Sequence, residues 1–383
     1  MSAAGSTPEA AAFTPGGAAF TPGAAVFAPE AAEAAAIAAE AAEAAAIAAE
    51  AAAYAESQLT RATGAGLDPH EYRRVTAGPA SVDGWYEAFV RAAQQHVARA
   101  QRAASPVSAG EHYEVAARWF HIAALEPHPD QALAEAEADR AMGRALALLE
   151  PDARRVEGPA FTGWLRGPAD APATVVVVPG LDSSKEEFHD VTRALLRRGM
   201  AVFTMDGPGQ GVLAPTTTVR PDYHQVIGQV VDALGADRVG LIGLSLGGYY
   251  VAESAANEPR VAAAAAVSGP FHLDWDAAPP FVRDVLTRRA GGREAARDFV
   301  RHVDLSAQAP RIECPLLVVD GGCDVIPGMT NGEPLARLAP RGEFLLVPHG
   351  DHLLGNARPD WLPATADWLV AALTGTAAPT EPS

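Results

Sequence analysis

Between Thr174 and Leu373, short apolar runs alternate with stretches that suit a helix, and no other feature narrows the possible folds as far. The runs are Thr174–Val178, Ala201–Met205, Val239–Gly243, Ala262–Val267, Leu316–Val319 and Phe344–Val347; helical stretches between and after them include Lys185–Arg198, Tyr223–Leu234, Tyr249–Asn257 and Asp360–Leu373. Strands this short and apolar on both faces, alternating with helices, imply a mostly parallel sheet covered on both sides, an α/β fold. Functional residues in such a sheet lie in loops beyond the carboxyl ends of the strands. Residues 153–374 form the expected α/β domain, entered through a short hairpin suggested by Val156, Phe161, Gly163 and Leu165. Residues 270–310 interrupt the alternation with Pro279-Pro280 and a helix-compatible run to His302, which predicts a small lid.

The third run leads into Gly243-Leu244-Ser245-Leu246-Gly247 and then into the helical stretch from Tyr249. A G-x-S-x-G pentapeptide is weak by itself: with 35 glycines and 13 serines in 383 residues, about 0.1 chance matches are expected. Its strand, turn and helix context gives it weight. Small residues on both sides let the backbone turn sharply enough to lift a serine hydroxyl clear of the sheet as a nucleophile.

A serine hydroxyl needs a histidine to take its proton and a carboxylate to orient that histidine, and in this arrangement both follow the serine, acid first. The fifth run leads into Asp320-Gly-Gly-Cys-Asp324, where Asp324 lies on the loop and Asp320, at the end of the strand, competes with it. The sixth leads into His349-Gly-Asp-His352, where His352 lies deeper in the loop and His349 follows the strand closely. Asp324 and His352 are the favoured partners of Ser245. A metal site at His349, Asp351 and His352 lacks a second carboxylate group or a Cys cluster, so no metal and no cofactor is expected. The oxyanion formed on attack needs two backbone donors, expected from Leu246 and from Leu181 in Pro179-Gly-Leu-Asp182. Asp206-Gly-Pro-Gly-Gln-Gly211 has neither a P-loop lysine nor G-x-G-x-x-G spacing, and reads as a turn shaping the pocket wall.

Residues 54–152 read as helices joined by Pro and Gly breaks, with Ser81, Ser108 and Asp130 as N-caps and Ser108-Ala-Gly-Glu111 as a capping box. Within it His112, Trp119 and His121 are candidates to line a pocket. Residues 1–53 are low complexity: Phe-Thr-Pro-Gly repeats precede two copies of Glu-Ala-Ala-Glu-Ala-Ala-Ala-Ile-Ala-Ala. Ala and Glu favour helix, but Ile37 and Ile47 cannot make a stripe, so a solvated, partly helical extension is expected, with a docking arm as the alternative. Residues 375–383 read as a frayed tail.

The formal net charge of -18 argues against nucleic acid or an anionic membrane as a partner. The first thirty residues hold no Lys or Arg and no unbroken apolar segment, resembling neither a signal nor a transit peptide. No apolar run reaches spanning length. Cys314 and Cys323 flank one strand, too far apart for a mutual bond, and read as buried thiols in a reducing, cytoplasmic setting.

These residues together resemble the α/β-hydrolase superfamily. The set Pro179-Gly-Leu-Asp-Ser-Ser-Lys-Glu-Glu187, Asp206–Gly211, Gly243–Tyr249, Ser268-Gly-Pro-Phe271 and Gly350-Asp-His352 with Asn356 looks like the branch containing the fermentation-respiration switch protein, 2,6-dihydroxypseudooxynicotine hydrolase and polyketide-shortening hydrolases. The resemblance covers roughly residues 80 to 372. It implies a helical cap over the site at 54–152, and a serine hydrolase acting on an ester, thioester or ketone-adjacent carbon-carbon bond. The implied substrate is an acyl or polyketide-like small molecule of bacterial secondary metabolism. It also implies an assisting acid, for which Asp274 or Asp276 is nearest, and Tyr249 and His121 join them as candidates for substrate contact. A homodimer is compatible with it. Elimination or acyl transfer in the same pocket, and a noncatalytic scaffold working through its Ala-rich arm, are the competing expectations.

Overall fold

The structure is a computed structural model that describes residues 28–79 and 81–375. The Phe-Thr-Pro-Gly repeats and residues 376–383 lie outside them. The chain divides into two units between Ala49 and Glu50.

Helix α1 (Ala28–Gly64) is 37 residues long. Residues 32–50 are exposed on every face, Ile37 and Ile47 included, as the missing apolar stripe requires. The expected boundary at 53/54 falls inside this helix. From Ala51 its buried positions Ala51, Ala55 and Ala62 fall near one face, and the chain continues into α2 (Pro69–Thr76), α3 (Trp85–Arg102), α4 (Pro106–Leu125) and α5 (Gln131–Leu149). The helical core is aromatic: Tyr72 stacks on Phe89 at 6.3 Å and on Trp119 at 6.4 Å between ring centroids.

Two expectations about helix ends are corrected. Pro106 occupies the first turn of α4, where its fixed φ suits the first helical position, so the helix opens earlier than Ser108. Ser105 is the N-cap, its hydroxyl accepting from the Ser108 amide at 3.1 Å, and the Ser108–Glu111 capping box does not form. Ser81 precedes a short 3-10 turn and Asp130 precedes α5, neither with a side-chain cap bond.

Beyond the helices come β1 (Arg154–Gly158), β2 (Phe161–Arg166), β3 (Thr174–Val178), α6 (His189–Leu196), β4 (Ala201–Asp206), α7 (His224–Leu234), β5 (Val239–Leu244), α8 (Leu246–Asn257) and β6 (Val261–Val267). The chain continues through β7 (His272–Leu273), α9 (Pro280–Ala290), α10 (Arg293–His302), β8 (Leu316–Gly321), β9 (Met329–Thr330), α11 (Glu333–Leu338), β10 (Gly342–Val347) and α12 (Arg358–Thr374). Eight strands form one sheet in the order β1-β2-β4-β3-β5-β6-β8-β10, while β7 and β9 pair separately. The β1–β2 hairpin and the β2–β4 pair are antiparallel; every other pair in the large sheet is parallel.

All six expected strands are present, and four of them, β4, β5, β6 and β8, are buried along their whole length. The edge strand β10 departs from the doubly apolar expectation, with Phe344 and Leu346 exposed. Cys314 and Cys323 are both free, but Cys323 sits exposed on the loop after β8, which corrects its reading as a buried thiol. The 270–310 segment supplies α9 and α10.

Candidate active site

Strand β5 ends at Leu244, and Ser245 turns into α8 with φ 55° and ψ -129°, a region non-glycine residues rarely occupy. Such a conformation costs on the order of 1–3 kcal/mol and persists only where its surroundings enforce it. A Cβ on Gly243 would meet the Gly247 carbonyl oxygen at 2.0 Å, so that position admits only glycine. The Ser245 amide donates to the Val267 carbonyl at 2.9 Å, and the Gly248 amide to the Ser245 carbonyl at 2.7 Å, pinning the turn from both sides.

The other two strand ends bring their loops to this serine. His352 Nε2 lies 2.9 Å from Ser245 Oγ, and His352 Nδ1 lies 3.1 and 3.0 Å from the two carboxylate oxygens of Asp324. A carboxylate there can only accept, so it holds the proton on Nδ1 and leaves Nε2 to accept from the serine hydroxyl. The His352 loop is itself held: Leu353 and Leu354 have φ of 67° and 54°, and the Leu353 amide donates to Ser268 Oγ at 3.1 Å.

The competitors are elsewhere. Asp320 is buried and accepts from the Gly332 amide at 2.8 Å; burial pushes its carboxyl up to about 7. His349 is exposed and lies 3.3 Å from Asp360.

A cavity of about 350 Å³ opens over Ser245 and His352. Leu181 and Leu246, the residues expected to supply the oxyanion donors, both line it. The Leu246 amide is the first of α8, where a helix has no carbonyl to offer it. Gln210 shapes the other donor loop from below, its Nε2 donating to the Pro179 and Gly180 carbonyls at 2.6 and 2.9 Å. The rest of the wall is mostly apolar, with Leu273, Val282, Val285, Leu286, Ile326 and Met329 on it.

Six other expected residues are not brought to the cavity. Tyr249 is buried with its hydroxyl donating to the Pro221 and His302 carbonyls at 3.2 and 2.9 Å, because α8 turns that face inward. His121 is buried between Glu187 and Ser184. Asp274 is exposed and caps its own turn through the Asp276 amide, while Asp276 is exposed and faces Arg297 at 3.5 Å. His112 pairs with His96 at 3.2 Å, and Trp119 belongs to the helical core.

Residues to which the sequence assigned no substrate contact do reach the cavity. The end of α1 contributes Ser57, Gln58, Thr60 and Arg61, and Asp351 lines it beside His352. Only Asp351 carried a local signal, its place in Gly350-Asp-His352. Among the described residues, no group of three or more His, Cys, Asp or Glu side chains is arranged to hold a metal ion. Nor is any described helix long and apolar enough to cross a membrane.

This sheet, with a strained serine at the end of its central strand, is that of the α/β-hydrolase superfamily; residues 169–292 match the family model described as serine aminopeptidase, S33. Among particular proteins, the chain is similar to the 2,6-dihydropseudooxynicotine hydrolase of Paenarthrobacter nicotinovorans, 34% identical over 59% of this chain and 66% of that one. It is also similar to the 20-hydroxy-prefusarin hydrolase FUS2 of Gibberella moniliformis, 30% identical over 50% of this chain and 53% of that one. The chain thus spans roughly half to two thirds of these curated relatives. A solved crystal structure of the 2,6-dihydroxy-pseudo-oxynicotine hydrolase superposes with a TM-score of 0.74 at 28% identity, over 84% of this chain and 98% of that one.

Proposed function

We propose that this chain is a serine hydrolase in which Ser245 is the nucleophile, His352 the general base and then acid, and Asp324 the group that orients His352. The observation that carries the reading is the unbroken sequence of contacts Ser245 Oγ to His352 Nε2 at 2.9 Å and His352 Nδ1 to Asp324 at 3.0 Å. Ser245 Oγ attacks a carbonyl carbon as its proton passes to Nε2, and the oxyanion is held by the Leu181 and Leu246 amides. His352 then returns the proton to the leaving group. For an ester that group is an alcohol; for a carbon-carbon bond beside a ketone it is an enolate protonated at carbon. Water, deprotonated by His352, attacks the acyl-enzyme and releases Ser245.

The substrate we assign is an acyl or polyketide-like small molecule. The mainly apolar wall of a cavity of about 350 Å³ suits such a compound, and the names of the similar hydrolases point the same way. Reaction with a fluorophosphonate and with p-nitrophenyl esters tests this. Labelling of Ser245 in the wild type, lost together with ester hydrolysis in Ser245→Ala, is expected. Full activity in an unlabelled Ser245→Ala protein would move the reaction to elimination or another base-catalysed course.

A further inference from the structure

One guanidinium is wired to both ends of the stretch that follows the Leu181 oxyanion donor. Arg61, three residues before the end of α1, donates through Nη1 and Nη2 to the two carboxylate oxygens of Asp182 at 3.0 and 2.9 Å. Through Nε and Nη2 it also donates to the two oxygens of Glu187 at 2.8 and 3.1 Å. Both pairings are two-pronged, a geometry that a planar guanidinium supplies and an ammonium does not.

The stretch between is tied to the helices as well. His121 of α4 lies 3.0 Å from Glu187 and 2.9 Å from Ser184 Oγ. Lys185 Nζ, fully buried, meets Asp206 at 2.6 Å and Asp139 of α5 at 2.9 Å. Asp182 directly follows Leu181, so a shift of the Asp182 side chain moves the peptide that must face the oxyanion.

We infer that Arg61 is a positioning residue for the oxyanion hole, fixing the Leu181 amide through Asp182 and Glu187; the inference rests on the serine-hydrolase reading above. Four of its five N–H bonds already engage two carboxylates, which makes Arg61 first of all a brace for this stretch. It has an electrostatic part too. Burial works to raise the Glu187 and Asp182 carboxyls; Arg61, joined at Glu187 by His121, opposes it, and both lie below their ordinary range. Without Arg61, the Asp182 carboxylate on the cavity wall loses its counter-charge and opposes the negative charge that must develop there, while the loop loosens.

The test uses the full chain with p-nitrophenyl butyrate, and active sites counted by the end-point of fluorophosphonate labelling. Arg61→Met should lower kcat per labelled site about 100-fold, the scale of losing one oxyanion donor, with KM within about 3-fold. Arg61→Lys, which keeps the charge but not the fork, should fall between it and the wild type. A purely architectural role would lower the labelled fraction and the Tm while leaving kcat per labelled site unchanged. Asp182→Asn, which cuts the link at the loop and leaves Arg61 on Glu187, should show the same kcat loss to a lesser degree, and decides the matter if Arg61→Met does not fold. Wild-type kcat per labelled site in both Arg61→Lys and Asp182→Asn, or a loss confined to KM, would overturn the inference alone. A wild type that neither labels at Ser245 nor hydrolyses the ester would instead remove the serine-hydrolase reading beneath it.

Discussion

Gly247 and Val178 are packed so closely that a Cβ on Gly247 would lie 2.3 Å from the Val178 carbonyl oxygen. The first turn of α8 therefore rests directly on the end of β3, and that contact sets how far Ser245 projects. Gly247→Ala must push the two elements apart. Overpacking of this kind costs about 1–3 kcal/mol, so urea titration should show a lower midpoint, with ester hydrolysis lost further than stability alone explains.

Asp324 and Asp320 should separate cleanly. Asp324→Asn removes the acceptor that fixes the His352 tautomer and should lower kcat by about 10⁴-fold, as in other triads. Asp320→Asn leaves the His352 contacts in place and should keep kcat within about 10-fold. Steady-state kinetics of the two variants, side by side, checks the assignment.

The Asp320 carboxyl also makes a stability prediction. Its pKa in the fold is raised from 3.8 to about 7, chiefly by burial, so the native state holds a proton that the unfolded chain releases. Its contribution is fully present below about pH 4 and is lost as pH rises toward 7. Asp320→Asn should therefore gain stability relative to wild type as pH climbs through that window, by a few kcal/mol in order of magnitude. Paired urea titrations at pH 4.5, 5.5 and 7.5 measure the difference; a constant offset would contradict it.

Phe281 is 64% exposed yet lines the cavity from α9. Little is buried there, so Phe281→Ala should change stability by less than about 0.5 kcal/mol. KM for long p-nitrophenyl acyl esters should rise several-fold while that for the acetate stays put.

Residues 32–50 are exposed throughout. A protein beginning at Glu50 should keep its Tm within about 2 °C and its kcat/KM unchanged, since no described side chain of that stretch is buried. Loss of ester hydrolysis on this truncation would restore the arm to the working part of the molecule.

The sheet was legible because its strands carry their own signal: Val175 to Val178 or Leu316 to Val319 has no other comfortable place than a covered parallel strand. Ser245, Asp324 and His352 were legible as candidates for a related reason, each following an apolar run by a few residues. Arg61 was not. It belongs to an Ala-rich helix with no local mark of function, and its meaning arises only from a partner at Asp182, 121 positions away. Tyr249 and His121 failed in the opposite sense, since adjacency to a motif or an aromatic-rich helix does not tell which way a side chain faces. The Ser108 cap failed because Pro106 two residues earlier sets the helix start.

The cavity has two unlike sides. From Asp182 to Glu187, Asp182, Ser184, Lys185 and Glu187 already serve partners on α1, α4, α5 or β4, so a change at any one of them leaves a polar group stranded elsewhere. Val282 and Val285, also on the lining, contribute apolar surface and no polar bond. Variation in what this pocket accepts has room on the α9 wall and almost none beneath the oxyanion, so new substrates should be reached by resizing one face while the other stays as it is.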